Sequence, residues 1–128
     1  MQPIFLLDLV SRHAQWATVR QATVTGNIAN ANTPGFTAKE VEPFTSVLDK
    51  THLAMAKTAD SHMDLRDNGV RASRLDGAET WAVTHSGNSV SLDQEMLKAE
   101  EINRSYTLDM NIMRSFHRML VSSVRSQG

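Results

Sequence analysis

The chain has 128 residues, with 13 Lys and Arg against 14 Asp and Glu and a net charge of −1. One domain fits that length, and so even a balance excludes a global field that would recruit nucleic acid or an anionic membrane. There is no cysteine, which excludes disulfides, thiolate nucleophiles and Cys-ligated zinc.

The start, Met1 to Asp8, lacks the basic n-region of a signal peptide. No stretch reaches the ~18 apolar residues that span a bilayer. Composition alone therefore implies the cytoplasm. Seven Met and 5% aromatic residues describe an adaptable core that specifies packing weakly.

A first helix is expected from about Ile4 to Ala31. Leu7, Val10, Ala14, Ala17, Gln21, Val24, Ile28 and Ala31 recur at alternating spacings of three and four, a seam of heptad type broken only by Gln21. The stop follows in Asn30, Asn32, Thr33, Pro34 and Gly35. Asn tolerates the left-handed conformation used just past a helix end, Thr33 is pushed out of the α region by Pro34, and Pro34-Gly35 suits a type II turn.

Residues 36–90 have little pattern. Short apolar alternations, Val41 to Phe44 and Trp81 to Val83, lie among Gly, Asn, Asp and Ser. A hairpin around Asn68-Gly69, flanked by Met63, Leu65, Val70 and Ala72, fits the turn chemistry. The expectation is a loosely ordered segment with a short β-hairpin.

A last helix is expected from near Ser91 to about Arg125. Its seam is Leu92, Met96, Ala99, Asn103, Tyr106, Met110, Met113, His117, Leu120 and Val124. Ser91 suits an N-cap, and acids cluster early while Arg114, Arg118 and Arg125 come late, as the helix macrodipole favours. The fold class expected is mainly α: two long terminal helices forming a coiled-coil-type pair, joined by the middle segment. The divisions are 1–35, 36–90 and 91–128.

Both seams are thin. Burying a Leu or Met contributes roughly 1.5–3 kcal/mol, and Ala much less. Ordering the backbone costs about 1–2 kcal/mol per residue. Seams this rich in Ala, Gln, Asn and His imply a lone chain that is only partly folded and that neighbouring chains complete.

Candidate chemistry is sparse. Asp60, His62 and Asp64 would share one face of a strand and offer a divalent ion two carboxylates and an imidazole. A small metal-dependent enzyme is thus one alternative, although no fourth ligand is evident. His117 reads as a partly buried seam histidine. Ser86-Gly87-Asn88-Ser89 lacks the Gly-x-Ser-x-Gly elbow, and no phosphate-binding glycine loop, cofactor motif or small-molecule site is present. A coiled-coil export chaperone is a second alternative.

Gly26-Asn27-Ile28-Ala29-Asn30-Ala31-Asn32-Thr33-Pro34-Gly35-Phe36 closely resembles the N-terminal signature of flagellar rod and hook proteins, with Gly26 for the usual Ser and Phe36 for the usual Tyr. The length, the stretch Lys39 to Phe44, Thr58 to Met63, and the run from Ser86 to Met96 look like the short proximal rod proteins. Two siblings of that group share the first motif. The resemblance implies a non-enzymatic structural subunit of the flagellar basal body, without cofactor or metal. It implies export through the flagellar type III apparatus with no cleaved signal, which revises the cytoplasmic reading to the periplasmic rod. It also implies self-association and contact with rod proteins of the FlgC, FlgF and FlgG types, the adaptor FliE and the membrane ring protein FliF. Asn27, Ile28, Ala29, Asn30, Thr33, Pro34 and Gly35 would form the family motif and helix stop. Leu7, Val10, Ala14, Ala17, Val24, Leu92, Met96, Ala99, Tyr106, Met110, Met113, Leu120 and Val124 would form the assembly seam.

Overall fold

A computed structural model of the chain describes residues 3–51, 72–74 and 82–125. Along the chain run α1 (Pro3–Ala29), β1 (Lys39–Val41), α2 (Phe44–Thr51), β2 (Ala72–Arg74) and α3 (Leu92–Arg125). At ~1.5 Å per residue α1 is about 40 Å long and α3 about 50 Å. They pack side by side and antiparallel: Asn27, late in α1, meets Glu95, early in α3, and His13 meets Asp109. The architecture is mainly helical, and the long pair is its frame.

The described part of the middle forms three short elements. β1 and β2 pair antiparallel, with Lys39 opposite Arg74, Glu40 opposite Ser73 and Val41 opposite Ala72. The short helix α2 was not expected at all. Phe44, Val47 and Leu48 fall at helical spacing on one face, and Phe44 and Val47 pack against the core. The Pro43 carbonyl accepts the Ser46 and Val47 N–H groups, which satisfies two orphan donors of the first turn. Ala82–Thr84 forms no strand. The expected hairpin turn at Asn68-Gly69 and the Asp60, His62, Asp64 cluster lie outside the described residues.

The core is small. Trp16, Ala17, Val24, Val41 and Ile102 form its centre, with Val19, Phe44, Val47 and Ala99 packed around them. Phe44 meets the His13 ring edge-on, with centroids 4.7 Å apart.

α1 stops where the turn chemistry requires. The Phe36 N–H reaches the Thr33 carbonyl at 3.2 Å, and Gly35 has a φ of +71°, as the third position of a type II turn demands. Among the described residues no asparagine takes a left-handed conformation. Asn30 instead keeps its own side chain on the helix, donating to the Gly26 carbonyl at 2.8 Å. A Cβ on Gly35 would touch nothing within 4 Å, so Gly35→Ala isolates the backbone cost of the turn. It is expected to lower stability by about 1–2 kcal/mol, read as lost amide protection in residues 27–38 by hydrogen exchange. Unchanged protection would refute the strained-turn reading.

Candidate functional site

Among the described residues, hydrogen bonds concentrate in a polar node where α1 ends and α3 begins. Two loops interlock there. The Gly35 N–H donates to the Ser86 carbonyl at 2.9 Å and the Ser89 N–H to the Phe36 carbonyl at 3.0 Å. The Ala38 N–H donates to Ser89 Oγ at 2.8 Å. Buried Asn88 spans both loops: its Nδ2 donates to the Asn30 and Thr33 carbonyls, at 2.8 and 2.7 Å, and its Oδ1 accepts the Val90 N–H. It thereby gives a second hydrogen bond to two carbonyls of the turn that follows α1. Gly87, at φ +80°, lies so close that its Cβ would stand 3.6 Å from the Gly35 Cα.

One turn earlier, Asn27 is buried to 1% exposure. Its amide pairs with both backbone groups of Lys39, donating to the carbonyl at 2.7 Å and accepting the N–H at 2.9 Å. This is what a neighbouring strand would offer, so Asn27 fastens β1 to α1. The second Nδ2 proton goes to Glu95 Oε2 at 2.9 Å. Glu95 is equally buried, and Lys98 Nζ sits 3.1 Å from its other oxygen and 2.7 Å from Glu40. Arg20 reaches Glu40 at 3.2 Å and Glu101 at 3.5 Å, with its guanidinium 5.4 Å from the Trp16 ring centre. Among the described residues, no buried side-chain nitrogen or oxygen lacks a hydrogen-bond partner.

A second, part-buried contact lies farther along. His13 Nδ1 and Asp109 Oδ2 are 2.6 Å apart, and Trp16 Nε1 donates to the Glu42 carbonyl at 2.8 Å. Two of the interhelical contacts, Asn27 with Glu95 and His13 with Asp109, are fourteen residues apart on both helices. That is two heptads. Sliding α3 would break both pairs and set polar groups that have lost a partner against an apolar seam, at roughly 1–3 kcal/mol each. Buried pairs of this kind add little net stability, but they specify register.

The contact stripe on α3 is therefore Glu95, Ile102 and Asp109, its buried residues. Met96, Asn103 and Met110 sit one residue on, about 100° around the helix. On α1, Val10, Ala14, Ala17 and Val24 are buried in the chain's own interior, and Leu7 is half-buried. On α3, Ala99 touches the core, Met110 and Met113 are half-buried, and Leu92, Met96, Tyr106, Leu120 and Val124 are exposed. His117 is exposed, not partly buried. Ala17, Gln21, Ala99, Asn103 and Tyr106 line one open groove, and Leu7, Met113, His117 and Leu120 a second. In the motif, Asn27 points inward, whereas Ile28, Ala29, Thr33, Pro34 and Gly35 are exposed.

A family model described as flagella basal body rod protein matches residues 14–37, the second half of α1 and its turn. A FlgB flagellar basal body rod protein of Agrobacterium fabrum is 43% identical over 98% of this chain and 96% of its own length. The chain belongs to the FlgB family of flagellar basal body rod proteins. FlgB proteins of Bacillus subtilis, 33% identical over 70% of each chain, and of Borreliella burgdorferi, 27% identical over 89% of this chain and 91% of the relative, agree. FlgB relatives are named as structural rod proteins, and this chain is a structural subunit of the basal body rod, not an enzyme. That disfavours the metal-dependent enzyme built on Asp60, His62 and Asp64. Among the described residues no cluster of three His, Cys, Asp or Glu could hold a metal ion.

The sequence reading missed Glu95, Lys98, Asn88 and Asp109 as site residues. The signal was present in the seven-residue recurrence of Glu95, Ile102 and Asp109, which an apolar template ignores.

Burial raises the Glu40 pKa, but the bond and charge of Lys98, with help from Arg20, outweigh it and hold the carboxyl below its ordinary 4.5. Burial lowers the Lys98 pKa, and Glu40 and Glu95 more than reverse that, leaving it above 10.5. A depressed carboxyl stabilises the fold above its unfolded value and loses that contribution as pH falls through the folded value. A raised amine stabilises below its unfolded value and loses it as pH climbs through the folded one. Protection of the node is thus expected to be flat between about pH 5 and 10 and to fall on both sides, with Glu40→Gln removing the acid limb. An acid limb unaltered in that variant would contradict the assignment. Glu95→Ala, which leaves Asn27 and Lys98 facing an empty site, is expected to cost about 3–5 kcal/mol, and Glu95→Gln distinctly less. Equal losses in a denaturant series would remove Glu95 from its role.

Proposed function

We propose that this chain is a subunit of the proximal rod that assembles by laying the open face of its α1–α3 pair against neighbouring helices, and that it transmits motor torque through that packing. The observation that carries the reading is the separation of the two faces. One stripe of α3 is locked to α1 by buried polar pairs, while the seam beside it leaves Met96 66% and Val124 76% exposed. Large apolar side chains standing in a row on one face mark an interaction surface.

In this reading segments 1–35 and 91–128 are the assembly unit, and 36–90 lies to its outside. The seam residues Leu7, Val10, Ala14, Ala17, Val24, Ala99, Met110 and Met113 close the chain's own half of the contact. Leu92, Met96, Tyr106, Leu120 and Val124 await partners. The partners are copies of itself, rod proteins of the FlgC, FlgF and FlgG types, the adaptor FliE and the ring protein FliF. The chain reaches the periplasmic rod through the type III apparatus without a cleaved signal. The sibling proximal rod identity is disfavoured by the full-length similarity to FlgB proteins.

The isolated chain is expected to be partly folded. Hydrogen exchange would find protection concentrated in residues 14–29 and 88–109, with α3 exchanging freely after Met110 and gaining protection when a partner rod or adaptor protein is added. Uniform protection of the lone chain to Arg125 would contradict the proposal. Met96→Asp is expected to leave that protection pattern intact and to abolish motility; normal swimming would exclude the seam from assembly.

A further inference from the structure

The groove beside the seam has a volume of about 900 Å3, and none of its lining residues comes from β1 or α2. Its α1 wall is low, built from Ala17, Ala22 and Thr25, and faces Ala99 and Tyr106 on α3. The small residues of the α1 wall and Ala99 opposite them admit a third helix at close range, and three-four spacing on both walls asks for an occupant with apolar knobs every three to four residues.

One such helix is in the chain itself. α3 is 34 residues long and α1 only 27. With His13 set against Asp109, Pro3 falls opposite about residue 119, and the end of α3 runs on past it. Met119, Leu120 and Val124 there are 59%, 46% and 76% exposed. That end is also electrically distinct. Residues 110–125 hold Arg114, Arg118 and Arg125 and no acid, whereas residues 92–109 hold five acids and two bases. Glu100 stands on the groove wall with Arg104 3.1 Å away, and Glu101 beside it meets Arg20 at 3.5 Å; the first half of α3 still has three more acids than bases. The basic end of α3 cannot fold back into its own groove, because both belong to one continuous helix.

We infer that the groove of one copy receives the basic C-terminal end of α3 from the next copy, so that copies join head to tail. This rests on the rod reading and names the partner of its open face. Met119, Leu120 and Val124 supply the knobs, and the arginines meet the acidic first half of the neighbouring α3. A contact between two different surfaces does not close on itself after two copies but repeats, and opposite charge at its two ends sets the polarity.

The chain has no cysteine, so the contact can be mapped by introducing two. Ala22 lies opposite Glu100 in the register, and Leu120 is about 30 Å farther along α3, beyond the reach of a disulfide within one chain. Cells lacking the native chain would carry the Ala22→Cys, Leu120→Cys double variant, either single variant, or the cysteine-free parent. Their basal bodies would be isolated, oxidised and separated by mass. The expected result is a ladder of multiples of this chain from the double variant and no ladder from the single variants. A product that stops at two copies, a cross-link to a protein of different mass, or no cross-link with the chain present overturns the docking and leaves the rod reading standing. Absence of the parent chain from basal bodies overturns both. Should the first double variant alone fail to incorporate, Thr25→Cys with Val124→Cys probes the same contact under the same outcomes.

Discussion

The buried contact between Asn27 and Glu95 is the constraint on which the rest of the molecule depends. It joins three things that the sequence keeps far apart: the end of α1, the backbone of β1 and the start of α3. A carboxylate and an amide taken out of water repay that transfer only when every lone pair and proton finds a partner. Here they do, through Lys39 on one side and Lys98 on the other. The arrangement therefore tolerates only one relative position of the helices.

A locked register matters because the apolar contribution is so modest. Ala14, Ala17, Val24 and Ile102 are well buried, but seams made largely of Ala and Val could slide by a turn at little apolar cost. The polar pairs, two heptads apart, remove that freedom. They hold α1 and α3 as one rigid unit whose remaining apolar surface lies on a different face. A subunit that bears load needs both properties: an interior that does not slip, and an exterior that stays sticky until a neighbour arrives.

Much of this was legible in the residues. The three-four spacing of apolar positions gave both long helices to within about two residues, and Thr33-Pro34-Gly35 gave the turn that ends the first. Beyond that, periodicity was a poor guide to which face packs where. Ala17, read as part of the assembly seam, is buried at the base of a groove between the two helices of its own chain. Glu95 counted only as one of the acids that cluster early in the last helix, because a single sequence shows a charge and not its partner. Asp109 and His13 were invisible for the same reason. Helix α2 escaped notice because three apolar positions within eight residues do not set a helical period apart from chance, and tertiary contact of Phe44 with the His13 and Trp16 rings supplies what local propensity does not. Left-handed asparagine at the helix end was a reasonable reading of composition. Gly35 took that role instead, which freed Asn30 to bond its own helix.

The central claim, that buried polar pairs set the register rather than the stability, is tested most directly by a distance. Spin labels on Gln15→Cys and Leu108→Cys, both exposed, report the alignment of α1 against α3. The account predicts one narrow distance in the otherwise native chain. It predicts several distances, spread by up to about 10 Å for a one-heptad slip, once His13, Asn27, Glu95 and Asp109 are all replaced by Leu. A single unchanged distance in that variant, with the helices still formed, would contradict it.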